Sequence, residues 1–115
     1  VQEPYIDTLE RCGICVQHHF GGGVYAKQTG IPAGVKLAQH VHPHDHLAVL
    51  ASGRVAVEVG GVATEHEGPS CIAIVGGASH SVVALTDAVW FCIHATRDTD
   101  PATVDTSILT GVRDD

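Results

Sequence analysis

"QHVHPHDHLAVLASG", residues 39–53, places four of the chain's nine histidines at positions 40, 42, 44 and 46 and follows them with an apolar run. A β-strand projects alternate side chains to one face, so even positions in an extended stretch share one surface. His40 and His42 are then about 6.7 Å apart along the strand, close enough for both imidazoles to reach one ion. Pro43 cannot donate to a strand ladder and is expected to end or bulge the strand. Asp45 is a turn residue, and His46 opens the next apolar run, from which it can face back toward the first pair. A fourth donor comes from "VGGASHSVV", residues 75–83, where two glycines turn the chain and His80 opens another strand. The expected metal ligands are therefore His40, His42, His46 and His80.

Outward from this stretch the pattern is all-β. Short runs rich in Val, Ile and Ala, such as "RVAVEV", "CIAIV", "HSVVAL" and "AVWFCIHA", are each strand length and each bounded by a turn signal. In "RVAVEVGGVATE", residues 54–65, two alternating runs flank Gly60-Gly61, the composition of a two-residue hairpin whose central residues need positive φ. Regular short strands over about ninety residues predict a sandwich or a barrel, and closure would hide exposed edges. After Thr96 the composition turns polar and acidic. Asp100 followed by Pro101 reads as an N-cap and first helical position, which predicts a short helix over Pro101 to Leu109.

At 115 residues, 44% hydrophobic and 17% charged, the chain is expected to form a single domain over 1–115 with a polar tail from 97 to 115. Its formal charge of −7 and six scattered Lys and Arg leave no basic patch for phosphates, which argues against nucleic acid and anionic membranes as partners. No apolar run approaches the roughly 20 residues of a membrane-spanning helix, and the N-terminus lacks the pattern of a signal peptide. Four scattered cysteines fit a reducing compartment, so a cytoplasmic location is expected.

The spacing of Gly34, His40, His42, His46 and Gly53 resembles the first motif of the cupin superfamily. Gly68 followed by Val75-Gly76-Gly77-Ala78-Ser79-His80 resembles the second, and the resemblance runs from about Val24 to Ala95. Two positions depart from the pattern: His46 stands where cupins usually carry a glutamate ligand, and Val75 stands where they carry proline. The resemblance implies a jelly-roll β-barrel, also called a double-stranded β-helix, and one divalent metal ion. It also implies dioxygenase, lyase, isomerase or hydrolytic chemistry, and pairing into a homodimer.

Imidazole in place of carboxylate removes one negative charge from the ligand set. The ion then polarises bound groups more strongly and favours an anionic small-molecule substrate. All-nitrogen ligation suits Fe, Ni, Cu or Zn and argues against Mg or Ca. Fe(II) is the first choice, with Ni, Cu, Zn or Mn as alternatives. The leading expectation is a mononuclear non-haem metal dioxygenase, and the alternative is a non-catalytic metal- or small-ligand-binding cupin.

The remaining chemistry-bearing residues have blander readings beside the sharp ones. His94 shares a strand face with Trp90 and Cys92; it is the candidate catalytic group, against a core histidine bonded to backbone. His44 follows Pro43 and is expected at solvent or the pocket mouth. Only one of His18 and His19 can face inward on a strand. His66 is expected to be solvated between Glu65 and Glu67 in a polar loop. Cys12 and Cys15 form a C-x-x-C without a partner pair and are read as structural. Cys71 and Cys92 are read as small buried hydrophobes.

Overall fold

The computed structural model describes residues 5–9, 13–39, 44–77 and 79–104. Among them are ten strands: β1 (Tyr5–Leu9), β2 (Ile14–Gly21), β3 (Val24–Ile31), β4 (Lys36–Gln39), β5 (His46–Ser52), β6 (Arg54–Val59), β7 (Val62–Glu67), β8 (Ser70–Ile74), β9 (His80–Ala84) and β10 (Ala88–Ala95). They form two antiparallel sheets, one ordered β1-β2-β3-β10-β5-β8 and the other β4-β9-β6-β7. This is the expected all-β jelly roll. Among the described residues each sheet has two edge strands, β1 and β8 in one and β4 and β7 in the other. No helix among the described residues is long and apolar enough to cross a membrane.

Alternation builds the core. Along β10, Ala88, Trp90, Cys92 and His94 are buried while the residues between them are not, and β5 buries His46, Ala48 and Leu50 in the same way. The opposite sheet contributes Val55 and Val57 from β6 and Val82 and Ala84 from β9. Burying a Val or Leu side chain fully contributes about 1.5–3 kcal/mol, so this shared interior is what holds the two sheets face to face.

Glycine geometry fixes the turns that aim the strands. Gly60 and Gly61 have φ of 56° and 86° and close the β6–β7 hairpin between paired Val59 and Val62, as the alternating pattern predicts. Gly53 has φ of 90°, and a side chain there would collide with the Asp87 carbonyl oxygen and sit 2.8 Å from Ala88 Cα. Only glycine lets the β5–β6 turn lie against the start of β10.

Several expectations need correction. β1 was not anticipated; its "YIDTL" is a weak strand pattern on its own and gains its ladder by pairing with β2. His66 is on β7 paired with Val55 and half-buried, so it is not in a loop. Cys71 is exposed, because alternation along β8 turns it and Ala73 away from the interior. Asp100 does cap a turn: its Oδ1 accepts the Ala102 N–H at 2.9 Å and its carbonyl accepts the Val104 N–H at 2.9 Å. Residues 105–109 of the expected helix lie outside the described residues, as does Cys12.

Candidate metal centre

His46 and His80 open β5 and β9, and His94 is the last inward-facing position of β10. β10 runs antiparallel to β5 with Ile93 opposite Leu47, so the end of one strand meets the start of the other. His94 and His46 therefore arrive at the same end of the barrel from neighbouring strands, and His80 faces them from the other sheet. The ring centroids of His46 and His94 are 4.4 Å apart, and those of His46 and His80 are 5.8 Å apart. All three rings are buried.

Below this layer the interior changes character. Trp90 pairs with Leu50 and Cys92 with Ala48, and none of these carries a charge. The polar groups are thus gathered at one end over an apolar floor. Cys92 is the exception: one donor atom each from His46, Cys92 and His94 lie within 4.8 Å of one another. Trp90 Nε1–H donates to Cys92 Sγ at 3.3 Å, which ties the thiol to the floor beneath the histidines.

The turn leading into His46 is tied to the loop leading into His80. Asp45 Oδ1 accepts the Gly76 N–H at 2.7 Å, and Gln39 at the end of β4 pairs with His80. Behind His94, Tyr25 stacks at a centroid distance of 6.4 Å, and its hydroxyl shares a 2.6 Å hydrogen bond with His18 Nδ1. His18 is the inward member of its pair and His19 the outward one, as alternation requires.

His46 and His80 are two of the expected ligands, and the structure brings them together. The other two, His40 and His42, lie outside the described residues. His44 is half-buried. Cys92 is the donor that sequence reading passed over. Its signal was available, since it lies two residues before His94 on the same strand face.

The donor set suits a transition metal. Both ring nitrogens of His46 and Nδ1 of His80 are shielded from solvent, and the two rings lie 5.8 Å apart between centroids. Buried imidazole nitrogens in such a cluster match soft-to-borderline divalent ions better than Mg or Ca. Burial lowers the His80 pKa below its ordinary 6.5, which keeps the ring neutral and able to donate its lone pair.

The same shift has a consequence for stability. A histidine whose folded pKa is lowered takes up its proton in the unfolded chain first, so its contribution is complete above 6.5 and falls as pH drops through the lowered folded value. For metal-free protein, urea midpoints at about pH 7.5 and about pH 5.5 are expected to differ, with the acid value lower, and His80→Gln is expected to narrow the gap. An unchanged gap in the variant would assign the acid sensitivity elsewhere.

No family model matches the sequence, and no curated protein matches it. Solved structures do. An RmlC-like cupin from Shewanella frigidimarina superposes with a TM-score of 0.70 at 18% identity, over 84% of this chain and 87% of that one. KdgF from a Halomonas species gives 0.70 at 18% identity, over 82% and 89%. Salicylate 1,2-dioxygenase from Pseudoaminobacter salicylatoxidans gives 0.69 at 16% identity, over 89% of this chain and 29% of that larger one. With its two sheets, strand order and histidine-bearing end, this chain has the cupin fold.

Proposed function

We propose that the histidine-bearing end of the barrel binds one divalent transition-metal ion, Fe(II) as first choice, and that the protein is a dioxygenase acting on a small anionic molecule. The observation that carries this reading is the convergence of His46, His80 and His94 from both sheets above an apolar floor. The fold likeness to a salicylate 1,2-dioxygenase supports the choice of reaction class. When bound, the metal supplies positive charge and a common site for substrate oxygen and O₂.

The chain's own residues do the rest. His46 and His80 hold the metal together with His40 and His42, and four neutral imidazoles leave its charge undiminished, which favours an anionic substrate. His94, stacked on His46 and backed by Tyr25, is the group that holds or moves a proton at the substrate. Trp90 and Leu50 close the floor and keep bulk water from the reacting atoms.

Metal-free protein reloaded with Fe(II) without oxygen, then given O₂ and a panel of small hydroxy and enolisable acids, is expected to consume O₂ with one acid class. His94→Ala is expected to keep its metal and lose at least about 100-fold in rate, the lower range of acid–base contributions. Loss of metal in that variant would make His94 a ligand instead. Absence of O₂ uptake with every reloaded metal would overturn the dioxygenase reading.

Cys92 favours a second reading, a non-catalytic metal- or small-ligand-binding module. A thiolate donating from the floor would occupy a position that substrate needs. Tight metal binding that weakens in Cys92→Ser, without O₂ uptake in either protein, is the outcome that supports it.

A further inference from the structure

Three of the four inward positions of β3, Tyr25, Thr29 and Ile31, are buried. The fourth is Lys27, which alternates with them and is half-buried. Residues two apart on a strand share one face, so Lys27 presents to the interior side of the sheet. The other lysines and arginines among the described residues do not: Lys36, Arg54 and Arg97 are exposed, and Arg54 pairs with Glu65 at 2.9 Å.

Register sets this lysine beside the candidate metal centre. Lys27 stands opposite His18 of β2 on one side and opposite Cys92 of β10 on the other. The next row on the same face runs from Tyr25 to His94, whose ring stacks on His46 at 4.4 Å. Two strand spacings of about 4.8 Å and two residue rises of about 3.3 Å put the backbones of Lys27 and His46 about 12 Å apart. A small molecule held by both side chains spans that separation. The surroundings of Lys27 are polar as well: His18 and Thr29 are buried, and the Tyr25 hydroxyl shares its 2.6 Å hydrogen bond with His18. Trp90, Leu50 and Ala48, farther across the sheet, form the apolar floor.

Lysine is seldom placed on an inner sheet face, because an ammonium there gives up part of its hydration. The sign of the whole chain explains what the charge is for. A net charge of −7 repels anions at a distance, so an anionic substrate needs positive charge inside the site itself. The metal provides it at the histidine-bearing end, and Lys27 provides it one row deeper and to the side.

We infer that Lys27 binds a carboxylate at the end of the substrate remote from the metal. The inference rests on the metal centre proposed above and narrows its substrate class: a small hydroxy acid with a second carboxylate, one end for the metal and the other for the lysine. The ammonium donates charge-assisted hydrogen bonds to that carboxylate. An acid of equal length that ends in a methyl group leaves the ammonium facing an apolar end, which is how the lysine discriminates.

Isothermal titration calorimetry on protein reloaded with Zn(II), which binds oxygen ligands without redox chemistry, tests this with malate and 2-hydroxybutyrate. The two share a four-carbon chain and a 2-hydroxy carboxylate, and only malate has a second carboxylate. Wild type is expected to bind malate at least about 10-fold more tightly, the effect of one charge-assisted hydrogen bond. Lys27→Gln is expected to abolish that preference and to leave 2-hydroxybutyrate binding unchanged. Lys27→Met, which keeps the length of the side chain, is a second probe should the first fail to fold. Lys36→Gln removes the same charge from the exterior and is expected to keep the preference. Zinc content by mass spectrometry separates the two ways to fail. Wild type that takes up no zinc overturns the metal centre and this inference with it. Zinc-loaded wild type without a preference for malate, or a preference that persists in folded Lys27→Gln or Lys27→Met, overturns the role of Lys27 alone.

Discussion

His46→Ala is expected to weaken metal binding by at least about 100-fold, since even hydrogen-bond partners of metal ligands cost up to about that much when removed. His46 is the ring that touches both others, 4.4 Å from His94 and 5.8 Å from His80, so its loss opens the centre of the cluster. The measurement is metal content by mass spectrometry after reloading an untagged protein, with far-ultraviolet circular dichroism confirming the strands. His80→Ala is expected to behave alike, because it brings the donor from the opposite sheet. Full metal retention in both variants would move the metal away from this end of the barrel and remove the support for the proposed reaction.

Trp90→Ala is expected to cost about 3–5 kcal/mol of stability, the usual range for deleting a large core aromatic. Trp90 is fully buried, pairs with Leu50 on one side and Thr29 on the other, and is the largest fully buried side chain described. Its removal leaves a void between the sheets and takes away the indole N–H that donates to Cys92 Sγ. A domain of this size is stable by roughly 5–15 kcal/mol, so the variant loses a large fraction of that. Urea unfolding should be compared on metal-free proteins, because a ligand bound only by the folded state would mask the difference. A change below about 1 kcal/mol would mean that the sheets close over the void, against the packing density expected of such an interior.

Local signals carried the strands and turns. The glycine pairs, the apolar alternation and the N-cap at Asp100 each act over a few residues, and each is visible without knowing what lies across the barrel. Runs that are apolar on both faces were harder to read. In "AVWFCIHA", Trp90 and Phe91 look equally suited to a core, and only one of the two faces one. Cys92 was passed over for a related reason: a thiol on an apolar strand is most often a small core residue, and its nearness to His46 depends on a strand far away in sequence.

By itself the sequence determined most of the strand content, the β6–β7 hairpin and the shared face of Trp90, Cys92 and His94, because these follow from backbone sterics and a two-residue period. Its expectation of His40 and His42 as ligands falls outside the described residues. Tertiary structure alone decided that β10 lies next to β5, which brings His94 and Cys92 to His46. The physical reason is that alternation fixes which way a side chain points but not which strand becomes its neighbour; that choice is made by packing two sheets around one interior.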